Sequence, residues 1–562
     1  MFQRFTRRFN PAWQAARLQV SGLGLGLAIA LLTPLSVQAA ERIRLTYGPF
    51  QFSITQADLE TYAETGVAEG DLKTVLSRLG PGAQAQFQTA LNASYDLDPV
   101  LANRFSYTSS GVQLLTEIGE LVRTDSGRNG FKSLRAALTL AAADPAGLSL
   151  ITFLEHLPTD MKVDVGQMLS LVGNLGGVLG QTQQVVQQLA AETDAIAATE
   201  PPVDFSTLPD PRLPGDLGFT VRTLTLEDAE RDRTIPVDIY TPQQPAAANS
   251  LPVIVVSNGL GARRDRFKEL AEHLATHGFA LALLDHPGSD RERLKDFYNG
   301  LEPENFEPAE YLDRPQDVSF VLDELTRLNE ELFQNALNPD QAGAFGYSFG
   351  GTTALALAGA EIDRDHLQTA CETRSSLFNI SLLYQCRALE LEESAIATAN
   401  LKDERIKAIH VFVPFSRSLY GPAGLAQVTG PVLWEAADLD ILTPFVVEQM
   451  PAFSWLTASS DPVANPAADR YLTVTSGLPH ARITLEVINR LTNQPAADWD
   501  SIRPIAEGYH RTLSTAFFAV HLANNEAYRP YLQARGAQHL TEAPYTLTWT
   551  ETLPDFASPA AE

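Results

Sequence analysis

The chain has 562 residues and a formal net charge of −27, from 41 Lys and Arg against 68 Asp and Glu. Hydrophobic residues make up 44% and charged residues 19%, a globular balance that excludes a disordered chain. The length allows more than one domain, and the acidity argues against nucleic acid as a partner, because a phosphate-binding surface needs a local excess of Lys and Arg and no basic run follows the N-terminus.

Residues 1–39 read as a signal peptide. Arg4, Arg7, Arg8 and Arg17 form a basic region, Val20 to Leu32 an apolar one, and Val37-Gln38-Ala39 a small-residue cleavage signal. The mature protein is expected outside the cytoplasm, periplasmic or extracellular, with an uncleaved N-terminal anchor as the alternative. Arg7-Arg8 hints at twin-arginine export, although Asn10-Pro11 fits that signal poorly. Export lets the two cysteines, Cys371 and Cys386, pair as a disulfide; the alternative is two buried thiols.

Residues 41–195 read as a small, mainly helical domain. It opens on alternating Ile43, Leu45, Tyr47 and Phe50, Phe52, Ile54, a hairpin pattern broken at Gly48-Pro49. Thr55-Gln-Ala-Asp58 predicts a helix cap, and amphipathic runs follow, ending with Val165 to Ala191. No catalytic or metal-ligand pattern stands out in it. Residues 196–217, with Pro201, Pro202, Pro209, Pro211 and Pro214, read as an extended linker.

Residues 218–547 change period. Val221–Leu226 and Ile235–Tyr240 predict a hairpin, and Pro252-Val-Ile-Val-Val256 a strand buried on both faces. Helix Phe267–His277, strand Phe279–Leu284 and a helix opened by Arg314-Pro-Gln-Asp317 continue the alternation. The pattern predicts an α/β fold with a mostly parallel sheet and helices on both faces. Residues 361–405 interrupt it and read as a lid insertion carrying both cysteines. Strands resume at Ile406–Val413 and Val432–Ala436, the last is predicted at Tyr471–Thr475, and a closing helix at about Tyr509–Leu522.

The chemistry centres on Gly346-Tyr-Ser348-Phe-Gly350-Gly351, between a short apolar strand and a good helix former. A serine at the apex of such a turn stands above the sheet, and small residues two before and two after it let the chain turn sharply. Serine needs a base to take its proton, and the base needs a carboxylate to fix its tautomer. Asp440 and His480 follow at the ends of later strands, giving the candidate triad Ser348, Asp440, His480; Asp438 is the competing acid. His410 inside a strand, His510 and His521 on the closing helix, and His539 in a polar tail are weaker candidates for the base. The oxyanion hole is expected from the backbone N–H groups of Phe349 and Leu260, the latter in the Gly259-Leu-Gly261 turn. Asp285 and His286 sit at another strand end, either as a pocket wall or bracing the site.

Val256-Ser-Asn-Gly-Leu-Gly261, Leu274-Ala-Thr-His-Gly-Phe279, Asp285-His-Pro-Gly-Ser289, Arg314-Pro-Gln-Asp317 and Gly346-Tyr-Ser-Phe-Gly-Gly351 together resemble the dienelactone hydrolase and platelet-activating-factor acetylhydrolase branch of the α/β-hydrolases. The N-terminal unit is similar to a domain of unknown function fused to predicted exported hydrolases of this kind in cyanobacteria. Three departures stand out. Asn258 replaces a histidine usual in the family, and Ser348 stands where dienelactone hydrolases have cysteine. The strand ending Val411-Phe-Val-Pro414 offers no carboxylate of the kind the animal acetylhydrolases use, which favours Asp440. The resemblance implies an α/β-hydrolase fold and no metal or organic cofactor.

The expectation is an exported serine hydrolase of carboxylic esters, with a small-molecule or lipid-like ester as substrate. Leu377, Phe378, Ile380, Leu382, Leu383 and Tyr384 in the insertion suggest an apolar acyl group, or else only pack the lid. Peripheral contact with a membrane or lipid stays open. The alternatives are a triad hydrolase of a thioester, peptide or C–C bond, and a non-catalytic binding protein on the same fold.

Overall fold

The computed structural model describes residues 42–243, 247–457, 469–492 and 498–553, so the signal-peptide reading lies outside the described residues. Arg42–Tyr47 and Phe50–Thr55 form the expected antiparallel hairpin. Thr55 caps the next helix as its sequence predicts. Its hydroxyl accepts from Asp58 N–H, and the Asp58 carboxylate accepts from Thr55 N–H. The N-terminal unit is less helical than expected, because Met161–Asp164 and Val122–Thr124 extend the hairpin into a four-stranded mixed sheet. Strands of three and four residues are too short to show a period of two.

The boundary at residue 195 is also revised. One helix runs from Val165 to Thr199, with Asp164 accepting from Gln167 N–H at its start. Its Val185, Val186, Leu189 and Ala197 are buried in the core of the following domain, so the two units share a hydrophobic interior. The proline-rich stretch beyond it is a packed strap rather than a free linker. Pro211 and Leu213 carbonyls accept from His273 and His277, and Phe205 stacks on His539 at 4.1 Å. Prolines that leave few donors still present carbonyl acceptors, which is what the strap uses.

Nine strands form the large sheet: β1 (Phe219–Asp228), β2 (Arg233–Pro242), β3 (Leu251–Ser257), β4 (Ala280–Leu284), β5 (Leu337–Tyr347), β6 (Ile406–Phe412), β7 (Val432–Ala437), β8 (Arg470–Thr475) and β9 (Leu547–Thr550). Their spatial order is β9-β8-β7-β6-β5-β3-β4-β2-β1. The six strands from β4 to β8 run parallel. The β1–β2 hairpin and β9 add antiparallel edges, and β9 corrects the expectation that Tyr471–Thr475 is the last strand.

Every residue of β3 is buried, as its unbroken apolar run requires. The period of two splits it between two cores. Val253 and Val255 pack with Leu322 and Leu355 on one face, while Ile254 and Val256 pack with Leu274 and Phe517 on the other. The helices responsible are Glu310–Phe333 and Phe349–Leu357 on the first face, and Lys268–Thr276 and Trp499–His521 on the second. Arg314-Pro315 lies inside the Glu310–Phe333 helix rather than opening it. Among the described residues no helix is long and apolar enough to cross a membrane.

The insertion at 361–405 is four short helical pieces closed by a Cys371–Cys386 disulfide. Leu382 and Leu383 are buried in its packing. It is fixed to the sheet edge by Glu448, whose buried carboxyl accepts from Asn379 Nδ2 and Gln385 Nε2 in the insertion and from the N–H groups of Ser416 and Arg417 after β6. Gln385 returns two bonds, from Ser418 and Leu419 N–H. A Glu448→Ala variant strands four buried donors at about 1–3 kcal/mol each before relaxation. Its unfolding free energy in a denaturant titration should fall by roughly 3–5 kcal/mol.

Candidate active site

β5 ends at Tyr347, and the helix on one sheet face starts at Phe349. Ser348 between them has φ +53° and ψ −116°, a conformation that side chains avoid at a cost of about 1–3 kcal/mol. The glycines make the turn possible. A Cβ on Gly346 would lie 2.1 Å from the Gly350 carbonyl oxygen, and one on Gly350 would lie 1.8 Å from the Ser257 carbonyl oxygen. One on Gly351 would lie 2.9 Å from Pro414 Cβ. The pattern around the serine is thus a packing requirement between β3, β5 and the loop after β6.

The structure brings Ser348, His480 and Asp440 together. His480 Nε2 is 3.0 Å from Ser348 Oγ, and His480 Nδ1 is 2.6 Å from Asp440 Oδ2. Asp440 is itself held. Its Oδ1 accepts from the N–H groups of Leu442 and Thr443, both at 2.8 Å, and its Oδ2 from Thr443 Oγ1 at 2.6 Å. The His480 carbonyl accepts from Tyr347 OH at 2.8 Å, so the residue before the serine positions the histidine backbone. All three side chains are buried, with Ser348 8% exposed.

Asp438 turns elsewhere. Its Oδ1 accepts from Gly477 N–H at 2.7 Å, and burial pushes its carboxyl up to about 7. The competing histidines are also accounted for. His410 is fully buried between Ser514 and Glu435, and His510 bonds the same Glu435 at 2.7 Å. His521 lies near Asp469. His539 is on a short helix, Ala534–Leu540, rather than in a tail.

Phe349 follows the serine directly, and Leu260 lies in the loop that starts at Gly259. Phe349 is the first residue of its helix, so its N–H has no acceptor within the helix. In the Leu260 turn, Gly261 N–H donates to the Ser289 carbonyl and Ala262 N–H to the Gly259 carbonyl. A Cβ on Gly259 would come within 3.3 Å of Ser348 Cβ, which shows how closely this loop approaches the serine.

Of the bracing beneath this loop, the sequence offers His286 and Asp285 but not Arg314, although the Arg-Pro-Gln-Asp motif marks it. The buried Arg314 guanidinium donates to the Asn258 carbonyl and to Ser289 Oγ, both at 2.8 Å, and lies 4.3 Å over the Phe349 ring. It therefore links the loop that starts at Asn258 to Phe349 beside the serine. Burial lowers its pKa to about 10, opposed by Glu310. Ser289 Oγ also bonds Glu310. Asp317 binds Arg233 and His286 Nδ1, and His286 Nε2 meets Ser257 Oγ at 2.9 Å. His286 thus braces the end of β3, and Asp285 holds Arg264. Asn258 presents a buried Oδ1 without a protein partner at the position where a histidine was expected.

Residues 39–164 match a family model described as "alpha/beta hydrolase of unknown function (DUF1400)", and residues 252–369 match the alpha/beta hydrolase fold. The first match falls on the N-terminal unit and the second on the sheet from β3 through the Ser348 turn. No curated protein matches the chain. With the strand order above, the second match makes the large domain an α/β-hydrolase fold. Both matches are to hydrolases, and hydrolase is the class of activity they support.

Proposed function

We propose that the protein is an exported serine hydrolase of carboxylic esters, from the dienelactone hydrolase and acetylhydrolase-like branch of the fold. The observation that carries the proposal is the unbroken hydrogen-bond chain from Ser348 Oγ through His480 to Asp440, beside the Leu260 and Phe349 amides.

In this mechanism His480 Nε2 takes the Ser348 proton as Oγ attacks the acyl carbon. The new C–O bond forms while the carbonyl π pair moves onto oxygen, where the two amides receive it. His480 then gives its proton to the leaving alcohol as the ester C–O bond breaks. Water, deprotonated by the same nitrogen, releases the acid from Ser348. Asp440 keeps the Nδ1 proton in place and stabilises the imidazolium, with its own orientation set by Leu442, Thr443 and the Thr443 hydroxyl.

The test is labelling of the mature protein with a fluorophosphonate, together with turnover of p-nitrophenyl esters of rising acyl length. The expected result is one labelled site, lost on prior acylation by substrate, and saturable ester turnover. A well-folded protein that neither labels nor turns over any ester would instead favour a binding protein on this fold.

A further inference from the structure

The N-terminal unit touches the helix after His480, the segment after β4, and the insertion. The helix Pro81–Asn92 packs against Arg482–Thr492, which begins two residues after His480. The helix Pro99–Phe105 packs against Arg291–Asn299, which follows β4. There Gly300, at φ +80°, leaves room for Arg104, whose Nη2 would lie 1.8 Å from a Cβ at that position. Ser109 N–H donates to Glu304 Oε1 at 2.8 Å, and the other oxygen of Glu304 accepts from Arg387 in the insertion.

Contacts with the insertion close the circuit. Glu117 Oε2 accepts from Ser375 Oγ and Ser376 N–H, both at 3.0 Å, and Ser110 Oγ donates to the Leu383 carbonyl at 3.1 Å. The insertion in turn bonds the acid loop, through Ser381 N–H to the Leu442 carbonyl at 2.9 Å. The contacts fall on segments that leave the C-terminal edge of the parallel strands, after β4 and after β8, and on the insertion, which follows the Ser348 helix. That edge is where substrates of open α/β sheets bind.

We propose that residues 42–164 are the roof of the active site and select substrates by size, acting as a steric gate held by the Glu117 and Glu304 clasps. The proposal rests on Ser348 being the nucleophile of the ester hydrolase proposed above. It gives the unit of unknown function a role: bulky esters reach Ser348 only when the clasps part, while small esters enter with the roof in place. No new chemistry is required, because the roof contributes walls and not reacting groups.

The test uses the full chain with Ser348→Cys. Both native cysteines are in the disulfide, so the introduced thiol is the free one. Its alkylation is followed with iodoacetamide and with a maleimide carrying a long polyethylene glycol chain. Adding Glu117→Ala, or separately Glu304→Ala, should speed the bulky reagent about tenfold and leave the small one unchanged, the effect of losing one or two hydrogen bonds that hold the closed state. In the Ser348 background the same substitutions should raise kcat/KM for a bulky ester relative to the acetate.

Thermal melts of each variant establish that it is folded, and the two clasps are independent, so failure of one leaves the other. A bulky reagent that reacts at the same rate with the clasps intact and cut overturns the proposal, as does equal acceleration of both reagents. Thiol accessibility does not depend on ester turnover. Absence of any esterase activity would therefore sink the ester hydrolase proposal, while the alkylation ratio would still decide whether the roof exists.

Discussion

Ser348→Ala and His480→Ala should each lower kcat for a p-nitrophenyl ester by about a millionfold, and the double variant should lose no more than either alone. The two side chains act as one unit through the 3.0 Å contact between Ser348 Oγ and His480 Nε2. Without the base the hydroxyl stays protonated, and without the hydroxyl the base has nothing to activate. What survives should be the rate that the Leu260 and Phe349 donors and substrate binding supply, roughly a thousandfold to ten-thousandfold over water. KM should change little, because neither group holds the ground-state ester. Steady-state kinetics with purified variants, checked for contaminating hydrolase by fluorophosphonate labelling, measure this. A Ser348→Ala enzyme that retained a tenth of its activity would show that the nucleophile lies elsewhere. The strain in the turn is unchanged in Ser348→Ala, because alanine adopts the φ of +53° no more easily than serine, and thermal melts check that His480→Ala is folded.

How much of this was legible in the sequence follows from the kind of constraint each residue obeys. The turn around Ser348 could be read because its pattern is contiguous in sequence: Gly346 answers to the turn's own Gly350 carbonyl, even though Gly350 and Gly351 answer to Ser257 and Pro414 on neighbouring segments. The parallel sheet could be read because β3 and β4 are buried on both faces and so lose the period of two that an exposed strand keeps. Asp440 could be chosen over Asp438 only by the form of its loop, the Asp-x-x-x-Pro pattern from Asp440 to Pro444 after the strand. The discriminating fact is tertiary: Asp440 meets His480 Nδ1 from 40 residues away, while Gly477 N–H, 39 residues from Asp438, captures the other carboxylate.

Long-range polar contacts were illegible for the same reason. Glu448 receives donors from residues 31 to 69 positions away, and nothing near it in sequence marks it as an anchor. The division into a helical domain, a linker and a hydrolase domain erred where composition was taken for architecture. Ala195 to Thr199 complete a helix whose earlier turns are already in the hydrolase core, and in the stretch that follows the Pro211 and Leu213 carbonyls are held by His273 and His277. The short strands at 122–124 and 161–164 are specified by their partner hairpin and not by their own residues.

The two carboxylates separate in experiment as they do in space. Asp440→Asn should lower kcat by about ten-thousandfold near neutral pH. The Leu442 and Thr443 N–H groups will hold the amide oxygen where they now hold Oδ1, leaving the NH₂ group toward His480 Nδ1. The ring must then accept at Nδ1 and carry its proton on Nε2, where it cannot take the Ser348 proton. Asp438→Asn should retain most of the activity, since Gly477 N–H can bond the amide oxygen as well as the acid. Its effect should appear in stability. Burial raises the Asp438 carboxyl to about 7 in the folded protein, above its unfolded value, so the folded state holds a proton that the unfolded state releases. The resulting stabilisation is full below about pH 4 and is lost as pH rises through about 7. Asparagine does not titrate. Relative to the parent, Asp438→Asn should therefore gain unfolding free energy as pH rises from about 4 to 8, by up to about 4 kcal/mol. Denaturant titrations at several pH values give that difference curve, and a flat curve would mean that Asp438 is ionised in the fold. If instead Asp438→Asn abolished turnover while Asp440→Asn kept it, the acid of the triad would be the earlier carboxylate, and the loop would have to rearrange when substrate binds.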